Sequence, residues 1–123
     1  MWIMTNWGVM SVVQRPLKSE GHVGLELQVR ARDRKTLTKL RRLVPQTEVS
    51  DIIRTPDADY QYRVFISRWA YGQLLDRLVE TLDYENFKNS VQDDDLHDLY
   101  IKIWGAIFRH YPRLRPRKRD VTR

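Results

Sequence analysis

Arginines placed beside aromatic rings, and short runs of aspartate, are the residues here with the clearest capacity for chemistry. Between residues 25 and 32, Glu26, Gln28, Arg30 and Arg32 alternate with Leu25, Leu27, Val29 and Ala31. A period of two marks a half-buried strand, so the first set forms its non-core face. A second alternating stretch sets Gln61, Arg63 and Phe65 opposite Tyr60, Tyr62, Val64 and Ile66. Arginines next to an exposed aromatic on a sheet can pair with phosphates and stack on bases. The glycine- and aromatic-rich signature of RNA-recognition sheets is absent, so two other readings stand beside this one. The face is an ordinary solvated surface, or it is an interface with Phe65 at its centre.

The end of the chain supplies a different basic feature. Arg113, Arg115, Arg117, Lys118, Arg119 and Arg123 stand against Asp120 alone, with Pro112 and Pro116 and no apolar period. Such a segment reads as a disordered basic tail over residues 112–123, suited to phosphate contact by counterion release. Its other reading is a solubilising charge run. A further basic cluster, Arg34, Arg41 and Arg42, falls on a helix and would add to a phosphate-binding surface.

The turn between the two strands of a predicted hairpin holds Arg54, Asp57, Asp59 and Arg63. Two aspartates near arginines can hold a divalent cation or activate water on a phosphate ester. They also form turns, because aspartate caps backbone N–H groups. His97 lies among Asp93, Asp94, Asp95 and Asp98, yet no His-x-x-x-His or Glu-x-x-His spacing occurs. No metal or other cofactor is expected. There is no glycine-rich phosphate loop and no serine nucleophile elbow. With 0 cysteines, thiolate catalysis, disulfides and cysteine-bound metal are excluded. The balance favours a non-enzymatic binding module.

These residues need elements to hold them. At 123 residues the length suits one domain, expected over 1–111 with the tail beyond it. Trp2 to Val13 reads as one strand bent at Gly8, and Leu25 to Arg32 as a second. Asp33 caps a helix carrying Leu37, Leu40, Leu43 and Val44, which Pro45 stops. Val49–Thr55 and Tyr60–Ser67 form the hairpin across Pro56-Asp57-Ala58-Asp59. Ser67 then caps a helix with Tyr71, Leu74, Leu75, Leu78 and Leu82 on one stripe. Residues 83–89 make a tight connection pinned by Tyr84 and Phe87. The last helix starts at Asp93–Asp95 and carries Leu96, Leu99, Tyr100, Ile103, Ile107 and Tyr111, with Trp104 packed beside that stripe in the core. Trp69, in a first helical turn, is expected to be exposed. The fold class is therefore α+β: an antiparallel four-stranded sheet covered on one face by helices, in the order ββα ββα α.

Several short motifs resemble a family of small bacterial proteins of unknown function. They are Met1-Trp2-Ile3-Met4-Thr5 with Gly8 and Ser11-Val12-Val13, then Arg54-Thr55-Pro56-Asp57-Ala58-Asp59-Tyr60 with Tyr62-Arg63-Val64. Asp83-Tyr84-Glu85-Asn86-Phe87-Lys88 and Trp104 extend the likeness to about residue 110. The family pattern has aromatic residues where this chain has Val9 and Met10. The resemblance implies a compact bacterial or phage-borne domain and assigns no catalytic residue.

The formal net charge of +6 is unevenly laid out. Residues 15–42 are strongly basic, residues 76–98 strongly acidic, and the tail basic again. The expected partner is nucleic acid, held by Arg30, Arg32, Arg34, Arg41, Arg42, Arg63 and the tail. The second reading is a protein-interaction or inhibitor module, or a homo-oligomer, whose basic 15–42 region meets an acidic 76–98 counterpart, with Phe65 and Trp69 at the interface. The third is a phosphate-ester enzyme built on the 54–63 hairpin. No apolar run reaches the roughly 20 residues that cross a bilayer, and the opening residues lack the charge pattern of a secretory signal. A cytoplasmic location with no membrane partner is expected.

Overall fold

Two residues, Asn6 and Trp7, turn the opening apolar run back on itself. In the computed structural model, which describes residues 1–16 and 25–111, that run is two strands, β1 (Trp2–Thr5) and β2 (Gly8–Gln14). The Thr5 hydroxyl closes the turn, donating to the Gly8 carbonyl at 3.0 Å and accepting from the Trp7 amide at 3.2 Å. The sheet thus has five strands rather than the four expected, and Gly8 opens a strand rather than bending one. Asn-Trp is not among the dipeptides that advertise a two-residue hairpin, which is why the turn is hidden in the sequence.

The described residues fall into two compact units, the first ending at Glu85 and the second beginning at Asn86. In the first, β3 (Leu27–Ala31) is followed by α1 (Arg34–Arg42), then β4 (Ile53–Arg54), β5 (Tyr62–Ile66) and α2 (Arg68–Glu80). The sheet order is β1-β2-β3-β5-β4, with every neighbouring pair antiparallel. The element order is accordingly βββα ββα in this unit. The expected strand at 49–55 is mostly irregular: Val49 makes an isolated bridge to Ile66, and only Ile53 and Arg54 join the ladder. Between them the Ser50 hydroxyl accepts from the Phe65 amide at 2.8 Å, a side chain taking the place of a backbone acceptor.

Alternation sorts the strand residues. Met10 and Val12, Val29 and Ala31, and Val64 and Ile66 form one layer of the core, with Leu37 and Leu40 of α1 and Ala70, Tyr71 and Leu74 of α2 as the other. Each fully buried Leu or Ile of this set stabilises the unit by about 1.5–3 kcal/mol relative to exposure. Asp33 caps α1 as expected, its carboxylate accepting from the Thr36 amide at 2.9 Å and the Thr36 hydroxyl at 2.6 Å. Ser67 caps α2 through the Ala70 amide at 3.1 Å. Leu82 lies beyond the end of α2 and is exposed, so it does not extend that helix's buried stripe.

The second unit holds α3 (Phe87–Ser90), a single turn capped by Asn86, and α4 (Asp94–His110), capped by Asp93. What reads as a bare connection at 83–89 therefore begins a short helix. Phe87 stacks on Tyr100 with ring centroids 5.2 Å apart. No helix among the described residues is long and apolar enough to cross a membrane.

Candidate functional site

The sheet face turned away from the α1–α2 core gathers most of the arginines that the strand alternation singles out. Register sets Trp2 beside Ser11, Ser11 beside Arg30, Arg30 beside Arg63 and Arg63 beside Ile53, a single row across all five strands. The next row is Val13, Gln28 and Phe65. Partners in register share a face, so two guanidinium groups meet at the middle of this surface.

Neutral groups hold them there. Arg30 Nη2 donates to Ser11 Oγ at 2.9 Å. Arg63 Nη1 donates to Gln28 Oε1 at 3.3 Å, and its Nη2 to the Tyr60 carbonyl at 3.4 Å. Ser11 and Gln28 are themselves buried and so present fixed acceptors. The Nε of Arg30 and the Nε of Arg63 are both buried with no hydrogen-bond acceptor. An arginine carries five N–H donors, so each keeps capacity for an anion after these bonds are made. Among the described residues, the ion pairs are Arg41–Asp51 and Arg68–Glu26, and neither engages this pair.

Aromatic rings pair with Arg30 and with two neighbouring arginines. The Tyr60 ring lies 4.9 Å from the Arg30 guanidinium carbon and 5.0 Å from that of Arg32. Arg15 lies 4.6 Å from the Phe65 ring and donates to the Leu25 carbonyl at 3.4 Å. Trp2, in the same row as Arg30, is 79% exposed. Cation–π contact fixes the guanidinium planes without neutralising their charge.

The structure corrects two expectations here. Phe65 is not an exposed aromatic: it is only 7% accessible, lying on the face turned away from α1 and α2 with Arg15 over its ring. Tyr60 does not continue the core-facing set of Tyr62, Val64 and Ile66. It precedes β5, where the strand alternation no longer governs its direction, and its ring joins Arg30 and Arg32 instead. Glu26 turns to Arg68 at 2.8 Å, an exposed pair at the strand's start.

Other expected site residues lie elsewhere. Arg34, Arg41 and Arg42 are on α1, in the layer that covers the opposite face of the sheet. Arg34 stands 5.3 Å from the Tyr62 ring. Arg41 is structural, donating to the Ser50 carbonyl at 3.1 Å and pairing with Asp51 at 3.2 Å. Asp57 and Asp59 are exposed in the hairpin turn, whereas Arg63 bonds to Gln28 and Tyr60. No group of three or more metal-ligating side chains forms among the described residues. Trp69 is exposed, at the start of α2. Arg113, Arg115, Arg117, Lys118 and Arg119 lie outside the described residues, as does His22.

Ser11, Arg15, Trp2 and Tyr60 join the site without having been marked by the sequence. The alternation of β2 carries the signal for Ser11, a polar residue between Met10 and Val12. Nothing local marks Tyr60, whose role depends on where β3 lies. No protein-family model, curated protein or solved structure matches the chain.

Proposed function

We propose that the protein binds single-stranded nucleic acid on the sheet face turned away from α1 and α2, without catalysing a reaction. The observation that carries this reading is the Arg30–Arg63 pair, side by side in register and bonded to neutral acceptors. Phosphate oxygens would supply the charge that Ser11, Gln28 and the Tyr60 carbonyl leave unmatched, while Trp2 and Tyr60 offer ring faces for bases. Arg15 and Arg32 extend the positive field along the strands, and the basic tail adds sequence-independent attraction. The cytoplasm of a bacterial or phage-infected cell is the compartment this reading takes, in line with the resemblance to small bacterial proteins.

The test is fluorescence anisotropy of labelled single-stranded DNA and RNA oligonucleotides, titrated with protein over a range of salt. Binding should weaken linearly in log–log form, and Arg30→Ala or Arg63→Ala should each flatten the slope by about 0.7, one phosphate contact on a single strand. No binding at low salt, or slopes untouched in both variants, would refute the proposal.

A further inference from the structure

A second cationic surface lies on α1, in the layer on the other side of the sheet from Arg30 and Arg63. Around the helix axis, Arg34, Lys35, Thr38, Lys39 and Arg42 fall within an arc of about 140°, opposite the buried Leu37 and Leu40. Arg34, Lys35, Lys39 and Arg42 are all exposed. Among the described residues, none of these four cations forms an ion pair. Lys39 Nζ stands 5.3 Å from the Trp7 ring, and the Arg34 guanidinium carbon 5.3 Å from that of Tyr62. Such ring contacts orient the charges and leave them uncompensated.

Helix stability does not account for this arrangement. Arg34 and Lys35 occupy the first turn, where the positive end of the helix dipole repels cations, and that turn holds no acidic side chain. Lys35 and Lys39 stand at i and i+4, a like-charged pair that also opposes the helix. The Asp33 carboxylate is taken up by the Thr36 amide and hydroxyl. Local charge placement that works against its own element is characteristic of a binding surface. The face also says what it takes, because no large apolar side chain of α1 is exposed. A protein partner would need an apolar centre and a lipid surface an apolar anchor, whereas a phosphate backbone needs only cations. On the reading of the sheet face proposed above, we infer that the exposed face of α1 is a second phosphate-backbone contact. One molecule then holds two nucleic-acid segments, on opposite sides of its sheet.

Sedimentation equilibrium of the full chain at low salt, with an excess of a fluorescent single strand of about six nucleotides, counts the oligonucleotides bound per chain. Arg34→Glu with Lys35→Glu should lower that number by one. Arg30→Ala with Arg63→Ala should lower it by one independently, and all four substitutions together by two. The α1 variant should unfold at the same urea concentration as the parent or a higher one, since carboxylates suit the first turn. Its lost binding is then not lost folding. A number unchanged by the α1 variant overturns the inference, and the sheet reading survives if the Arg30 and Arg63 variant still lowers it. If only the α1 variant lowers it, the sheet reading is what fails. Equal weakening of a single bound oligonucleotide by both variants would mean one strand wrapped over both faces, and overturns the inference as well.

Discussion

Arg30 and Arg63 illustrate how a residue's surroundings decide what it can do. Paired with carboxylates they would be neutral struts; bonded to Ser11 and Gln28 they keep their charge in fixed positions. Tyr71 is the opposite case, a polar group with no evident use. It is 2% exposed on α2, and its hydroxyl has no partner among the described residues. Burial pushes its ionisation well above the ordinary phenol value, because a phenolate in the apolar core would be unsolvated. The neutral form is therefore favoured in the folded state. The resulting contribution to stability is intact below the unfolded chain's pKa near 10 and declines as pH rises beyond it. Tyr71→Phe should leave stability unchanged or raise it by up to about 1 kcal/mol at neutral pH. It should also flatten the alkaline loss between about pH 9 and about pH 11. Urea unfolding of both proteins across that range checks the outcome, and an equal alkaline loss in the variant would contradict it.

At the scale of elements, the packing of β2 against α1 depends on Gly8. A β-carbon there would fall 2.7 Å from Thr36 Cγ2 and 2.9 Å from Thr36 Cβ. Thr36 cannot give way cheaply, because it is 1% exposed and its hydroxyl and amide both bond to the Asp33 cap. Gly8→Ala should therefore cost about 1–3 kcal/mol through overpacking. Thr36→Ala in the same chain should recover part of that loss, read as a coupling in a double-mutant cycle of chemical denaturation. Strictly additive effects would mean that the strand and helix do not press on each other here.

For the whole molecule, net charge is a poor summary. Its +6 combines a basic stretch at 15–42, an acidic one at 76–98 and a basic segment from 112 onward. The arginine face belongs to the first unit and the apolar stripe of α4 to the second. Ending the chain after Tyr111 removes six basic residues. On the proposed function this should lower affinity for every oligonucleotide alike and make the salt dependence shallower, while preserving the effect of Arg30→Ala. Anisotropy titrations at two or more salt concentrations separate the contributions. An unchanged slope would leave the tail out of phosphate contact.

The sequence by itself determined most of the elements and both helix caps tested by geometry in the first unit, Asp33 and Ser67. Those features rest on neighbours in the chain: a period of two, a period of 3.6, a side chain reaching an amide three residues on. It also separated Arg30, Arg32 and Arg63 from the core-facing residues. Only the tertiary structure decided which arginines meet. Register across β3 and β5 joins Arg30 to Arg63, while α1 carries Arg34, Arg41 and Arg42 to the opposite side of the sheet. Phe65 and Trp104 show the same limit from the other side. Both are aromatic residues in regular elements, yet one is buried on the face expected to be open and the other exposed on the stripe expected to be covered. Burial is set by what another part of the chain brings to a surface. Local periodicity gives the direction of a side chain and carries no information about its cover.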